Sequence, residues 1–416
     1  EPYSRGNGRN TTGAIAVHQE DSSRSTDPAG MMIFSPGRIG GRTAPNRFVA
    51  QAMEGNDAVD GGRPSELTTE RYRRLARGRW GVTVVEALSV VEDSLARVNG
   101  LIINERNLES LRGLVKAFRE ENDEGLLLFQ ITHSGPRSGK FSRVVSVCPE
   151  HEPGAEYLSA EEIESIRKAF VNAVLLAHEA GADGVDFKLC HGYLGAEMLR
   201  PSNTRPDRWG GSFENRTRFL RESMKELEGR LPRDRFVIGS RISMYEAIRG
   251  GCGTSGPDEQ VEDITEMLEL IRLMDSLGMD YVNVSAGIPA LTAEVTRPTK
   301  TSRWFHLHHF RYAKAAKALG IRMAVFGSAY SILAEQAHLL GEENLRKGYT
   351  DFIGFGRQNF ADPLYPAKLL AGEKADYCTA CSGCSRLMAN QVHDGCIIYN
   401  PYYREVMKTL RSSSAG

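Results

Sequence analysis

Four cysteines near the C-terminus, Cys378, Cys381, Cys384 and Cys396, read C-x2-C-x2-C-x11-C. They lie within 19 residues, whereas the first 370 residues hold only three cysteines. Two-residue gaps let successive thiolates converge on one inorganic core, and a fourth ligand after a short loop closes it. A sulfur-only site of this kind selects iron–sulfur or zinc, and the spacing does not choose between them. The competing reading is a pair of disulfides. Seven cysteines in 416 residues is ordinary usage for a reducing compartment, not the density of a disulfide scaffold.

A second set of chemically capable residues follows short apolar runs. Gln130 and His133 come after one run, and Lys188, His191 and Tyr193 after the next. Arg241 closes another, Gly327 and Ser328 follow a further one, and Gly356 and Arg357 end the last. Small residues with one arginine can let backbone N–H groups and a cation approach a phosphate.

Such residues need elements to hold them. The near-continuously apolar runs at 48–53, 82–87, 126–131, 184–188, 237–242, 281–285, 323–326 and 352–356 predict eight strands covered on both faces. Helical periodicity separates them. The clearest helix starts at Ser159, with Glu162 three residues on as a capping box, and stops at Gly181. Others are predicted over 258–277 and 306–319, each ended by a glycine. Eight alternating units predict an α/β chain folded as a (β/α)8 TIM barrel, with a C-terminal cysteine-rich extension. In that architecture chemistry belongs at the C-terminal strand ends, and phosphate after the seventh and eighth strands.

The expected organisation is a polar arm over 1–30, a barrel over 31–370, and a cysteine-cluster extension over 371–416 packed on it. The formal net charge of -1 implies no nucleic-acid or anionic-membrane partner. No apolar run is long enough to span a bilayer, and the N-terminal residues lack a secretory core, so the expected location is the cytoplasm. A homo-oligomer is compatible with the sequence.

The run HGYLGAEMLRPSNTRPDRWGGSFENRTRF, residues 191–219, resembles the signature of the old yellow enzyme family of FMN-dependent oxidoreductases. NRFVAQAM at 46–53, FQITHSG at 129–135, GSRIS at 239–243 and GFGRQNFADP at 354–363 extend the resemblance over about residues 31–370. The four cysteines followed by Asn400–Pro401 are similar to the iron–sulfur branch that includes 2,4-dienoyl-CoA reductase and trimethylamine dehydrogenase, which carries a [4Fe–4S] cluster.

The resemblance implies FMN, with Ala52, Met53 and Ala87 lining the flavin and Gln130 on its pyrimidine edge. It implies Arg241 near N1 and O2, where a fixed cation favours the reduced anion. Gly327, Ser328, Gly356 and Arg357 would hold the phosphate. Hydride would pass from reduced FMN, supplied by NAD(P)H, to an activated C=C bond of a small-molecule substrate. Tyr193 would donate the proton, since a phenol is neutral at working pH. His191 matches one of two family residues that grip the substrate oxygen. The other, usually histidine, is Lys188 here, which can still donate but with different reach. Cys190 reads as a small buried hydrophobe and Trp209, where the family usually has tyrosine, as packing.

Cys378, Cys381, Cys384 and Cys396 would hold the cluster, with an electron-transfer partner protein as one way to feed it. The same flavin site run in the oxidative direction would be an amine or substrate dehydrogenase. A Schiff-base lyase using Lys188 and a non-catalytic barrel with a zinc-bound tail are the readings from other classes.

Overall fold

The computed structural model describes residues 28–413 apart from 149 and 151. The arm expected over 1–30 lies outside the described residues up to residue 27. Eight parallel strands close into a barrel: β1 Phe48–Ala50, β2 Val82–Ser89, β3 Leu126–Thr132, β4 Gly184–Leu189, β5 Val237–Ser243, β6 Tyr281–Ser285, β7 Ala324–Gly327 and β8 Phe352–Phe355. Each strand pairs with its neighbours in sequence, and β8 closes on β1 through Ile353, Gly354 and Phe355 against Phe48, Val49 and Ala50. All eight expected strands are present, with ends displaced by up to three residues.

The helix predicted from Ser159 runs Ala160–Ala180. Ser159 accepts from Glu162 N, Glu162 returns the bond to Ser159 N, and Gly181 stops the helix at φ 91°. The helix expected over 258–277 starts only at Thr265. The helix thus begins seven residues later than helical spacing suggested, where Asp263 accepts from Thr265 N at 3.0 Å.

Side-chain alternation explains how the barrel holds a site. Along β3 the inward positions are Leu126, Leu128 and Gln130, and along β4 they are Gly184, Asp186 and Lys188. On β5 and β6 the same step gives Val237, Gly239, Arg241 and Tyr281, Asn283, Ser285. On these four strands the starts face apolar residues or glycine into the barrel and the C-terminal ends face polar ones. Val49, Val82, Val84, Leu126, Leu128, Val237, Phe326 and Phe352 form the apolar floor. Ile39 and Ala44 join it from an antiparallel hairpin, Gly37–Ile39 with Arg42–Ala44, that the sequence did not reveal. A separate, larger apolar layer seals the strands against the helices.

Tyr281 organises the floor. Its ring stacks on Phe326 at 4.5 Å, and its hydroxyl donates to Asp186 Oδ2 at 3.0 Å. A Cβ on Gly239 would meet the Tyr281 ring at 2.2 Å, so this strand glycine makes room for the aromatic ring. Gly239→Ala should therefore destabilise the barrel by about 1–3 kcal/mol, read as a lower urea midpoint at unchanged m-value.

Candidate active site

The polar C-terminal rim opens into a cavity of about 480 Å³. Ala52, Met53, Gln130 and Arg241 line it, as do Ser328, Gly356 and Arg357. Lys188, His191 and Tyr193 line it too, from the end of β4 and the turn beyond. Ala87 and Gly327 are not on this wall. Ala87 falls where the β2–β3 register shifts between Val85 and Leu88 and is buried. A Cβ on Gly327 would face Thr350 and Tyr330. His133 lines a different cavity, of about 200 Å³, with Arg143 and Glu162. Cys190 and Trp209 are buried, and Trp209 donates to Ala160 O at 3.2 Å.

One hydrogen-bonded network spans the rim. Gln51 and Asn283 exchange two amide bonds at 2.6 and 3.0 Å. Arg241 donates to Asn283 Oδ1 at 2.7 Å and to Ser285 Oγ at 3.2 Å. Ser285 Oγ also meets His191 Nε2 at 2.8 Å. No carboxylate forms an ion pair with Arg241 among the described residues. Burial lowers its pKa against the opposing charges of Cys190 and Asp186, so the site holds a guanidinium with no direct ion pair. Burial, then Arg241 and Lys188, push His191 well below the ordinary histidine range, so its imidazole is neutral. His191 also adopts a left-handed φ of 62°, a strained conformation for a side chain of this size.

Gln130 commits its Nε2 to Asp186 Oδ1 at 2.9 Å. Burial pushes the Asp186 carboxyl up from 3.8 to about 6, against hydrogen bonds from Gln130 and Tyr281. An acid raised on folding stabilises the folded chain below its ordinary value and loses that contribution as pH rises through the raised one. Stability should thus fall between about pH 4 and 6, and Asp186→Asn should remove up to roughly 3 kcal/mol of that fall. Urea midpoints of both proteins at the two ends of the window check this.

Tyr193 is held by two charged side chains. Its hydroxyl donates to Glu54 Oε2 at 3.4 Å, and Lys188 Nζ lies 3.5 Å from its ring centroid. Arg97 pairs with the same Glu54 oxygen at 3.1 Å. Burial opposes the Lys188 ammonium, but Tyr193 and Glu54 outweigh it and raise its pKa. Burial likewise opposes the Glu54 carboxylate, but Arg97 and Lys188 prevail and lower its pKa. Sequence reasoning missed Gln51, Glu54, Arg97, Asn283 and Ser285. Polar residues at alternate positions of the apolar run 281–285 were the readable signal for the last two; Glu54 and Arg97 lie on loops with none.

The cysteine segment abuts this cavity. Cys378, Cys381, Cys384 and Cys396 line one small pocket, and Cys384 lines the large cavity as well. Gln358, next to Arg357, accepts from Cys378 N at 2.9 Å and donates to Asp376 O at 2.8 Å. Ala380 and Ser382 take left-handed φ of 51° and 59°, curling the chain around Cys381. Among the described residues, no three Cys, His, Asp or Glu groups converge on a single ion. A tetrahedral zinc needs its thiolates about 3.8 Å apart at Zn–S of about 2.3 Å. A cuboidal cluster binds each thiolate to a different iron and has no such requirement.

Residues 32–376 match the NADH:flavin oxidoreductase / NADH oxidase family. The chain belongs to that family. It is 27% identical over 365 residues to an NADH oxidase of Thermoanaerobacter brockii, covering 85% of this chain and 53% of the relative. It is 27% identical over 381 residues to a dimethylamine dehydrogenase of Hyphomicrobium sp., covering 86% and 48%. The chain thus spans about half the length of the curated relatives it matches. A 2-naphthoyl-CoA reductase complexed with 2-naphthoyl-CoA shares the fold at TM-score 0.76 and 24% identity, over 90% of this chain and 58% of that one. No described helix is long and apolar enough to cross a membrane.

Proposed function

We propose that this chain is the FMN-binding, substrate-reducing unit of an NAD(P)H oxidoreductase acting on electron-poor C=C bonds. The observation that carries the reading is the rim network: a buried Arg241 with no ion-pair partner, lining the same cavity as Gln130 and Tyr193. A cation held by neutral hydrogen-bond partners suits a group that gains negative charge on reduction. Gln130, with its NH2 committed to Asp186, offers its oxygen to a ring N–H. At the phosphate end, a Cβ on Gly356 would meet only Met53 Sδ, at 3.3 Å, so backbone there is open to close approach. Ala329, after Ser328, takes a left-handed φ of 70°, a turn that presents backbone N–H groups. Gly327, Ser328, Gly356 and Arg357 would hold the phosphate, and Ala52, Met53, Gln130 and Arg241 the ring. Bound there, FMN supplies hydride to the alkene.

Tyr193 donates its phenolic proton to the α-carbon, with Glu54 as its hydrogen-bond acceptor at rest. His191 presents a neutral imidazole to the substrate oxygen. Lys188 remains charged against Tyr193 and Glu54, so it adds positive potential where enolate charge develops. Cys378, Cys381, Cys384 and Cys396 are the proposed ligands of a [4Fe–4S] cluster, which would exchange single electrons with a partner. Cytoplasmic location is part of the same proposal.

Oxidation of a cationic amine fits less well. Arg97, Arg137, Lys188, Arg241, Arg297 and Arg357 line the cavity against only Glu54 and Asp394. The test is anaerobic: an electron-poor alkene should reoxidise dithionite-reduced flavin within seconds. Protein that stays bleached with alkenes, but is reduced by a secondary amine, refutes the reductive direction.

A further inference from the structure

The Arg97–Glu54 pair that holds Tyr193 stands on two loops, since residues 51–58 and 94–100 form neither helix nor strand. Both side chains are largely buried, at 16% and 17% exposure, so the pair is costly to break. Its position depends on what fixes the two loops.

One side chain grips the backbone on both sides of Arg97. Gln391 Oε1 accepts from Val98 N at 3.0 Å, and Gln391 Nε2 donates to Ala96 O at 3.1 Å. Ala96 O also accepts from Arg97 Nη1 at 3.0 Å, so the carbonyl that Gln391 holds orients the guanidinium. The residues after Gln391 hold the other loop. Val392 O accepts from Asn56 Nδ2 at 3.1 Å, and Asp394 N donates to Gly55 O at 2.8 Å, next to Glu54. Asn56 Oδ1 accepts from Asn99 N at 2.8 Å and ties the two loops to each other.

Local structure aims this glutamine. It follows the short helix Gly383–Ala389 and its C-cap Asn390, and takes a left-handed φ of 55°. Glycine or asparagine is the ordinary residue at such a place. The two side-chain bonds to the Arg97 backbone are what glutamine adds there.

We infer that Gln391 is a positioning residue for proton delivery. Its amide sets the backbone at Arg97, Arg97 sets Glu54, and Glu54 sets the Tyr193 hydroxyl. Arg97, Glu54 and Tyr193 line the large cavity and Gln391 does not, so it acts through them. The inference rests on the reading of Tyr193 as the proton donor. A donor displaced by a fraction of an ångström loses rate without any loss of binding groups.

The test is a double-mutant cycle on the FMN-loaded protein, read as the rate at which an electron-poor alkene reoxidises dithionite-reduced flavin. Gln391→Met keeps the length of the side chain and removes both bonds. It should slow reoxidation about tenfold and raise its solvent deuterium isotope effect, with bound flavin unchanged. In a Tyr193→Phe background the same substitution should cost nothing further, because the proton it misplaces is already gone. A merely structural role would slow both backgrounds alike. Undiminished reoxidation in Gln391→Met, or an equal loss in the Tyr193→Phe background, overturns the inference. Should Gln391→Met fail to hold flavin, Gln391→Glu, which keeps the acceptor for Val98 N, carries the same cycle. If Tyr193→Phe is itself as fast as the unsubstituted protein, the proton-donor reading fails and the inference with it. If Tyr193→Phe is slow and Gln391→Met is not, the positioning role alone fails.

Discussion

Tyr193→Phe should slow reoxidation of reduced flavin by an electron-poor alkene about 10²–10⁴-fold, the usual worth of a positioned proton donor. The substitution isolates the proton. Tyr193 is only 5% exposed, and its backbone opens the short helix Leu194–Leu199. Phenylalanine keeps the ring, and with it the packing and the face against which Lys188 rests at 3.5 Å. Only the O–H that donates to Glu54 is lost. The measurement is a stopped-flow trace of flavin absorbance after mixing reduced enzyme with alkene, alongside the bound-flavin content. A change of less than tenfold would show that another group delivers the proton. Lys188, whose ammonium lies 3.5 Å from the ring centroid, would then be the first candidate.

Cys381→Ser should reduce iron from about four atoms per chain to near zero after anaerobic reconstitution, and remove the broad visible absorbance beneath the flavin bands. Cys381 is the apt position because it lines the cysteine pocket without lining the flavin cavity, whereas Cys384 lines both. Flavin content should therefore survive its loss. Chain conformation favours the outcome: Ala380 and Ser382 hold left-handed φ on either side of this residue, and the Ala380 N–H donates to the Cys378 sulfur. Such N–H groups stabilise an anionic core, and a hydroxyl replaces a thiolate poorly as an iron ligand. Metal analysis of the unsubstituted protein decides the alternative. One zinc and no iron per chain would refute the cluster.

Much of the barrel was legible because its signals are local. The eight apolar runs mark strands buried on both faces, and Ser159 with Glu162 announces a helix through bonds three residues apart. The helix over 265–276 was placed too early because an apolar period continues into the loop before Ile264, which offers no capping side chain to read. The hairpin at 37–44 carries only three residues per strand and has no period to read.

The site was legible where a long motif set the spacing, as for Lys188, His191 and Tyr193, or where a strand end changed from apolar to polar, as at Gln130 and Arg241. Ala87 shows the limit. The family resemblance assigns it to the flavin wall, and it falls within the register shift between Val85 and Leu88, where strand alternation is interrupted. One inserted step reverses the facing of everything beyond it.

By itself the sequence determined the element types, the order of the strands and the residues presented at each strand end, because these follow from periodicity and steric preference within a few residues. Tertiary structure alone decided who meets whom across the barrel mouth. It set Lys188 against the Tyr193 ring, joined Glu54 to Arg97, tied Gln51 to Asn283 across 232 positions and placed Cys384 in the wall of the large cavity. The energies of those pairings depend on burial and distance, which no local pattern encodes.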